Sequence, residues 1–478
     1  MMGSVLSLVE PNLHLLEVEQ QQMLFHIPTS GLFELDDLSR DLIALLKLDN
    51  QLTAARIEQY FAGHYPAGQL VEALEELKSL KIITDDGSAQ INAAPVKVDR
   101  FPLNTVILNV NTGCNLSCSY CYKEDLDTPN KGQKMTFATA LKSIEMLLRE
   151  SPDQDSYNIV FFGGEPLTNM PLIRQTVAYC EQRFATLRGR VDFSLTTNAT
   201  LLTEALVDYF DAHAIGLTIS IDGPKAMHDK NRITLGGKGT YELVRSKVQM
   251  LLSRYRARPV GARVTLTRGV TDVEAIYQHL YHDLGFHEVG FAPVTSGDMA
   301  QFNLSTAELS EVFEGMKRLG RRYLDAAREH RNTGFGNMHQ LMTDLHEGNK
   351  KSLPCGAGVA LLAVDTAGGL NLCHRFSGSG QPLFGDIDQG IDKAALSKFI
   401  EARLDRSGSG CETCRVRNLC SGGCYHESYA KYGDPAAPVY HYCDLIRDWI
   451  DFGIEIYSRV MVENPDFFDA YVTPRRSS

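Results

Sequence analysis

The chain has 478 residues, 44% of them hydrophobic, which is enough for two to four domains with packed cores. A net charge of -12 excludes the basic field that general nucleic-acid binding requires, so any peptide partner is expected to be neutral or basic overall. The opening MMGSVLSLVEPNLHLLEVEQQQ lacks a basic n-region, and no run of about 18 apolar residues occurs, so no secretory signal or membrane span is expected and the protein reads as cytoplasmic.

Residues 1–98 form the first expected domain. HLLEVEQQQMLFHIP reads as two β-type runs joined by a polar turn, and three helical patterns follow: DDLSRDLIALLKL, TAARIEQYFAGH and AGQLVEALEELKSLKII. Asp36 and Asp37 stand before the first helix and Thr53 before the second, as N-cap signals. Strands with three short helices make a winged-helix-like module. DNA binding is disfavoured by the three glutamates of QLVEALEELKSLKI, where phosphates would want Lys or Arg. Packing against the rest of the chain is the plain alternative.

Residues 99–305 alternate strand and helix. TVILNVN, YNIVFFGG, DFSLTTN, GLTISID, ARVTLT and EVGFAPV are six apolar strands separated by helical stretches, which predicts a parallel sheet covered by helices. Six βα units fall short of an eight-fold barrel, so the expected α/β fold is a partial (β/α)6 TIM barrel whose strand C-terminal ends share one site. Residues 306–478 begin with the helix TAELSEVFEGMKRLGRRYLDAAREH, pass through a Gly- and Cys-rich segment and end in the apolar helix DLIRDWIDFGIEIYSRVMVE.

Of eleven cysteines, three follow the first barrel strand, seven lie between 355 and 443, and Cys180 shares a helical stripe with Ile173, Val177 and Phe184, as a core residue would. Such clustering favours metal or redox chemistry over disulfides. In GCNLSCSYCYK, Cys114, Cys118 and Cys121 offer three thiolates to a four-iron cubane and leave one iron open for a small chelating molecule. Zinc, the alternative, uses paired C-x-x-C spacings and a fourth ligand, which this loop lacks.

With Tyr120 as its aromatic position, this motif resembles that of the radical S-adenosylmethionine (SAM) enzymes. The resemblance implies that the open iron chelates SAM and that Gly163, Gly164 and Glu165 hold the methionine amino group. Asn198 and Ser220, at later strand ends, are candidates for ribose and carboxylate contacts, or for ordinary turn hydrogen bonds.

The later cysteines, Cys355, Cys373, Cys411, Cys414, Cys420, Cys424 and Cys443, with Gly368 five residues before Cys373, match the SPASM extension of that family. By that resemblance Cys411, Cys414, Cys420 and Cys443 hold an outer cluster, and Cys355, Cys373 and Cys424 an inner one. The total is three 4Fe-4S clusters plus SAM. A zinc ribbon at Cys411, Cys414, Cys420 and Cys424 is the rival. No eighth cysteine lies between Cys355 and Cys373, so an inner iron stays open for a substrate thiolate. Sulfatase-maturing relatives carry Asp directly after the second of these inner cysteines, where this chain has His374, and that departure weakens formylglycine synthesis.

The whole chain resembles peptide-modifying SPASM enzymes. LFHIPTSGLFELD resembles, more narrowly, the maturation proteins of quinohemoprotein amine dehydrogenase, which join Cys sulfur to Asp or Glu methylene carbons in a small subunit. The resemblance implies that reductive cleavage of SAM yields a 5′-deoxyadenosyl radical, that residues 1–98 bind a substrate leader by strand addition, and that a flavodoxin or ferredoxin supplies electrons. Asp222 and Asp229 in IDGPKAMHDKNR are candidate bases for the thiol proton, or else each is structural, as a turn residue or a partner of Arg232. Other peptide maturases, a sulfatase-type maturase and a non-enzymatic iron-sulfur carrier stay open as alternatives.

Overall fold

A computed structural model describes residues 5–18, 21–85, 100–122, 132–187, 189–297, 299–348 and 350–472. The domain boundary expected at residues 98 and 99 lies outside the described residues.

The N-terminal elements are β1 (Val5–Leu8), β2 (Leu13–Val18), β3 (Gln21–His26), β4 (Gly31–Glu34), α1 (Asp37–Leu48), β5 (Leu52–Thr53), α2 (Ala54–Tyr60), α3 (Ala67–Ser79) and β6 (Ile83–Thr84). Both expected caps are used: Asp36 accepts from the Ser39 N–H at 2.7 Å and Thr53 from the Arg56 N–H at 3.3 Å. β2, β3 and β4 make an antiparallel meander, while β1 is flanked by β5 and β6. β1 was not expected, because four residues carry too little periodicity.

Leu6, Leu42, Leu46, Ile57, Leu74 and Ile83 give this module a core of its own. Phe25 and Ile27, however, belong to the core of the rest of the chain. Polar contacts complete that docking. The Arg417 guanidinium donates to the Pro11 carbonyl at 3.0 Å, the Asn418 amide donates to the Ile27 carbonyl at 2.6 Å, and His14 pairs with Asp451 at 2.9 Å.

All six expected barrel strands form: β7 (Thr105–Asn111), β8 (Ser156–Gly163), β9 (Arg190–Thr197), β10 (Gly216–Ser220), β11 (Gly261–Leu266) and β12 (Glu288–Pro293). They are mutually parallel and lie in sequence order. α4 (Phe137–Glu150), α5 (Met170–Phe184), α6 (Glu204–Ala212), α7 (Lys225–Asn231), α8 (Tyr241–Arg254) and α9 (Val273–Tyr277) fill the connections. Cys180 is fully buried on α5, on the stripe expected for it.

One face differs from expectation. β8 alternates half-buried and buried residues along its whole length, because its outer face packs under helices while its inner face lines an open barrel interior.

The C-terminal third extends this sheet with β13 (Leu361–Val364), parallel to β7, and β14 (Leu370–Asn371), antiparallel to β13. A run as short as LLAV does not declare itself, and the exposed edge of β7 fixes it as a strand. The remaining helices are α10 (Thr306–Arg328), α11 (Gly336–His346), α12 (Lys393–Leu404), α13 (Arg417–Cys420), α14 (Tyr425–Tyr432), α15 (Cys443–Glu463) and α16 (Asp466–Tyr471). Ser305 and Glu308 close a capping box on α10, which packs with α11 and α9 around α15 and the sheet. Among the described residues no helix is long and apolar enough to cross a membrane.

Candidate active site

The loop after β7 is strapped to the segment after α7. The Ser117 N–H donates to the Ile233 carbonyl at 2.9 Å, the Ser119 N–H to the Asn231 carbonyl at 3.0 Å, and Leu116 bridges Thr234. Cys114, Cys118 and Cys121 stand on this loop, with the Cys121 N–H donating to the Cys118 carbonyl at 3.0 Å. Their thiols lie within range of one another's charge. Burial pushes the Cys118 thiol up to about 11, so a thiolate there requires a positive partner such as iron.

Gly163 and Gly164 at the end of β8 meet this loop backbone to backbone. The Gly164 N–H donates to the Asn111 carbonyl and the Glu165 N–H to the Gly113 carbonyl, each at 3.1 Å. A methyl group on Gly164 would sit 2.0 Å from the Gly113 oxygen, and one on Gly163, which holds φ +144°, would sit 2.3 Å from the Asn111 oxygen, so only glycine fits this junction. Glu165 is 1% exposed, and its carboxylate accepts from Thr197 Oγ1 at 2.7 Å and from the backbone N–H groups of Asn198 at 2.8 Å and Leu167 at 3.1 Å. Burial raises its pKa against those three donors.

Asn198 also reaches the cysteine loop, its amide donating to Asn115 Oδ1 at 3.0 Å and approaching Cys114 Sγ at 3.7 Å. Asn115 in turn donates to Thr200 at 2.8 Å. Ser220, half-buried at the end of β10, pairs in register with Arg263 of β11.

Tyr120 is buried, and its hydroxyl donates to Asp222 Oδ2 at 2.6 Å. Arg232 Nε donates to the same oxygen at 2.8 Å, its guanidinium lying 5.5 Å from the Tyr120 ring centroid, while Asp222 Oδ1 accepts from the Thr265 N–H at 3.0 Å. Asp222 is thus the partner of Arg232, and through Tyr120 it holds the cysteine loop. Asp229 accepts from the Tyr241 N–H at 2.8 Å and pairs with Lys225 at 3.3 Å. Both candidate bases are occupied by protein donors. Sequence reasoning passed over Asn115, Thr197 and Asn231, which knit the loops together; as single polar residues at strand and helix ends they carry no spacing signal.

The seven later cysteines divide in space. Cys411, Cys414, Cys420 and Cys443 line one cavity of about 550 Å³. Cys355, Cys373 and Cys424 form the other set, each within range of another's charge, and burial pushes the Cys373 thiol up to about 12. Among the described residues no three Cys, His, Asp or Glu side chains converge as on a single ion. All-thiolate sets of three and four suit iron-sulfur clusters, whose cysteines bind different irons. The three donor sets therefore fit iron-sulfur clusters.

Residues 108–280 match the Radical SAM superfamily. That stretch, which holds the Cys114 loop and strands β7 to β11 of the central sheet, is similar to a radical SAM domain. Such a domain implies a 4Fe-4S cluster and SAM, and the Cys114, Cys118 and Cys121 loop beside Gly163, Gly164 and Glu165 fits them. Across 331 residues the chain is 25% identical to the serine-type anaerobic sulfatase-maturating enzyme of Klebsiella aerogenes, spanning 68% of this chain and 80% of that one. The solved structure of native anSMEcpe with bound AdoMet superposes with TM-score 0.63 at 19% identity, covering 76% of this chain and all 100% of that one. Streptococcus suis SuiB bound to precursor peptide SuiA gives 0.50 at 16% identity, with 91% and 99% covered. At these identities the two structures establish a shared fold.

Proposed function

We propose that this protein is a radical SAM maturase that links a cysteine sulfur to an Asp or Glu methylene carbon within a small protein subunit. The observation that carries the reading is the inner set of Cys355, Cys373 and Cys424: three thiols that, among the described residues, act on one another and on no fourth cysteine, suited to leave one iron free for a substrate thiolate. Cleavage of bound SAM to methionine supplies the oxidising power. In the net reaction the C–H hydrogen leaves on 5′-deoxyadenosine and the thiol hydrogen as a proton. One C–S bond forms, and the carbon and sulfur are oxidised by two electrons.

The chain's own residues have defined parts in this reading. Cys114, Cys118 and Cys121 hold the SAM-binding cluster, Cys411, Cys414, Cys420 and Cys443 an outer relay cluster, and Gly163, Gly164 and Glu165 receive the methionine amino group. A flavodoxin or ferredoxin supplies electrons. Residues 1–98 bind the substrate's leader, for which the outer edge of β4 is suited: among the described residues it pairs only with β3. A remote docking site lets several target positions reach one reaction centre, because the tether raises their local concentration.

A second reading, oxidation of a Cys or Ser side chain to formylglycine, is favoured by the similarity to sulfatase-maturating enzymes. Tandem mass spectrometry of the modified substrate separates the two. A thioether gives a product two hydrogens lighter that resists thiol alkylation and yields no fragments between the linked residues. A product that reacts with hydrazide probes would instead establish the aldehyde and remove the thioether assignment.

A further inference from the structure

β11 carries one charge in the middle of GARVTL, on the face that lines the barrel interior: Arg263 is exposed, whereas Ala262 and Val264 on either side are buried. Its neighbours in register are Ser220 on β10 and Gly290 on β12. A side chain at Gly290 would begin 3.5 Å from Arg263 Nη1, so the missing side chain leaves the guanidinium room. Arg263 lies deep among protein atoms and still faces open space. Across that space stands Arg375, two residues after Cys373, its guanidinium 5.1 Å over the Tyr122 ring next to Cys121. The two arginines sense each other's charge, and Arg263 also senses Cys424 and Glu288. Neither makes a side-chain hydrogen bond or ion pair with the described residues. Two acids act on them at range without pairing: Glu288 on Arg263, its carboxylate 2.4 Å from where a side chain on Gly336 would begin, and Glu427 on Arg375, its carboxylate accepting from Thr295 at 3.0 Å and Tyr442 at 2.8 Å.

Two like charges that face one another with no direct ion pair, and with acids acting on them only at longer range, are still short of a close partner, and an anion between them supplies one. The planar guanidinium fork matches a carboxylate. We propose that Arg263 and Arg375 form a carboxylate subsite at the barrel mouth that takes an acidic side chain of the peptide substrate. This rests on the thioether reading. With the carboxylate held there, the adjoining methylene is fixed beside the cysteine loop at Tyr122 and beside the inner cysteine set at Cys373 and Cys424, the two places from which hydrogen removal and sulfur delivery must come.

The probe is a pair of dye-labelled peptides, Gly-Cys-Gly-Gly-Gly-Asp-Gly and its Asn counterpart, titrated by anisotropy into the anaerobically reconstituted enzyme with SAM. The wild-type enzyme binds the Asp peptide at least about tenfold tighter, which corresponds to one charge-assisted pair. Arg263→Gln abolishes the preference and Arg263→Lys restores it in part, iron content serving as the check on folding. Equal binding of the two peptides by the wild-type enzyme overturns the subsite without recourse to any variant. Retained preference in Arg263→Gln with weakened binding of SAM alone gives the arginine to the methionine carboxylate, and overturns it as well. Because the readout is affinity, an Asp preference without a thioether product would leave the subsite standing and remove only the reaction assignment.

Discussion

The Tyr120 hydroxyl donates to Asp222 at 2.6 Å, across a sequence separation of 102 residues, and this bond ties the cysteine loop to the end of the fourth barrel strand. Asp222 is 1% exposed, and its other donors are Arg232 and the Thr265 N–H. Asp222→Asn leaves the Arg232 charge buried without its partner, which costs about 3–5 kcal/mol. Tyr120→Phe removes one hydrogen bond to a charged group, about 1.5–3 kcal/mol. Denaturant unfolding should rank the two variants in that order, with iron lost from both. An Asp222→Asn enzyme with full iron and full SAM cleavage but no crosslinking would make Asp222 the base instead. The same measurements on Asp229→Asn test the second candidate.

Gly164→Ala places a methyl 2.0 Å from the Gly113 oxygen and pushes the cysteine loop off the end of β8. The expected result is loss of SAM binding in the reconstituted enzyme at nearly normal stability of the N-terminal module. Equilibrium dialysis against labelled SAM checks it, and unchanged affinity would show that the loop tolerates displacement.

Three clusters amount to about twelve irons per chain. Replacing Cys114, Cys118 and Cys121 together by Ala should leave about eight and abolish 5′-deoxyadenosine formation. Replacing Cys411 and Cys414 should empty the outer cavity and spare the SAM-binding cluster. Zinc in place of iron in either preparation would contradict the assignment.

Strand pairing between β3 and β4 directs the Phe33 N–H toward β3 and the Glu34 N–H outward, by antiparallel alternation from the Leu35 N–H to Gln22 carbonyl bond. Glu34→Pro therefore deletes an outward donor and leaves the meander paired. If the leader adds a strand here, its affinity falls about three- to tenfold, the equivalent of one backbone hydrogen bond, with no change in the affinity for SAM. This substitution is a cleaner test than removing residues 1–98, because Phe25 and Ile27 belong to the core of the remaining chain.

His228 is buried and neutral. One ring nitrogen faces the Asp222 N–H at 3.4 Å, the other Thr240 at 3.0 Å, and burial lowers its pKa to about 4. A depressed histidine pKa means that the unfolded chain binds the proton first. Stability is therefore fully present above pH 6.5 and is lost as pH falls from there toward 4, by about 3 kcal/mol at most. His228→Gln should flatten that part of the pH dependence of unfolding between pH 7 and 5 relative to wild type. Parallel slopes would place the proton uptake elsewhere.

The barrel strands, the two N-caps, the buried place of Cys180 and the grouping of the cysteines are legible in the chain because each rests on local signals: apolar runs, capping side chains, helical spacing and ligand intervals. Tertiary structure alone decided how those pieces meet. β13 became a strand because β7 offered an unpaired edge. Asp222, legible as a base, a turn residue or a partner of Arg232, meets Arg232, Tyr120 and Thr265 only because the chain brings them to its two oxygens. The meander of the first module surrendered Phe25 and Ile27 to another core, which no periodicity within LFHIP could reveal. Arg263 sits unremarked inside the apolar run ARVTLT, and its meaning depends on Arg375, 112 residues away. Local propensity fixes elements, and only long-range packing fixes which charges are left facing one another across an open interior.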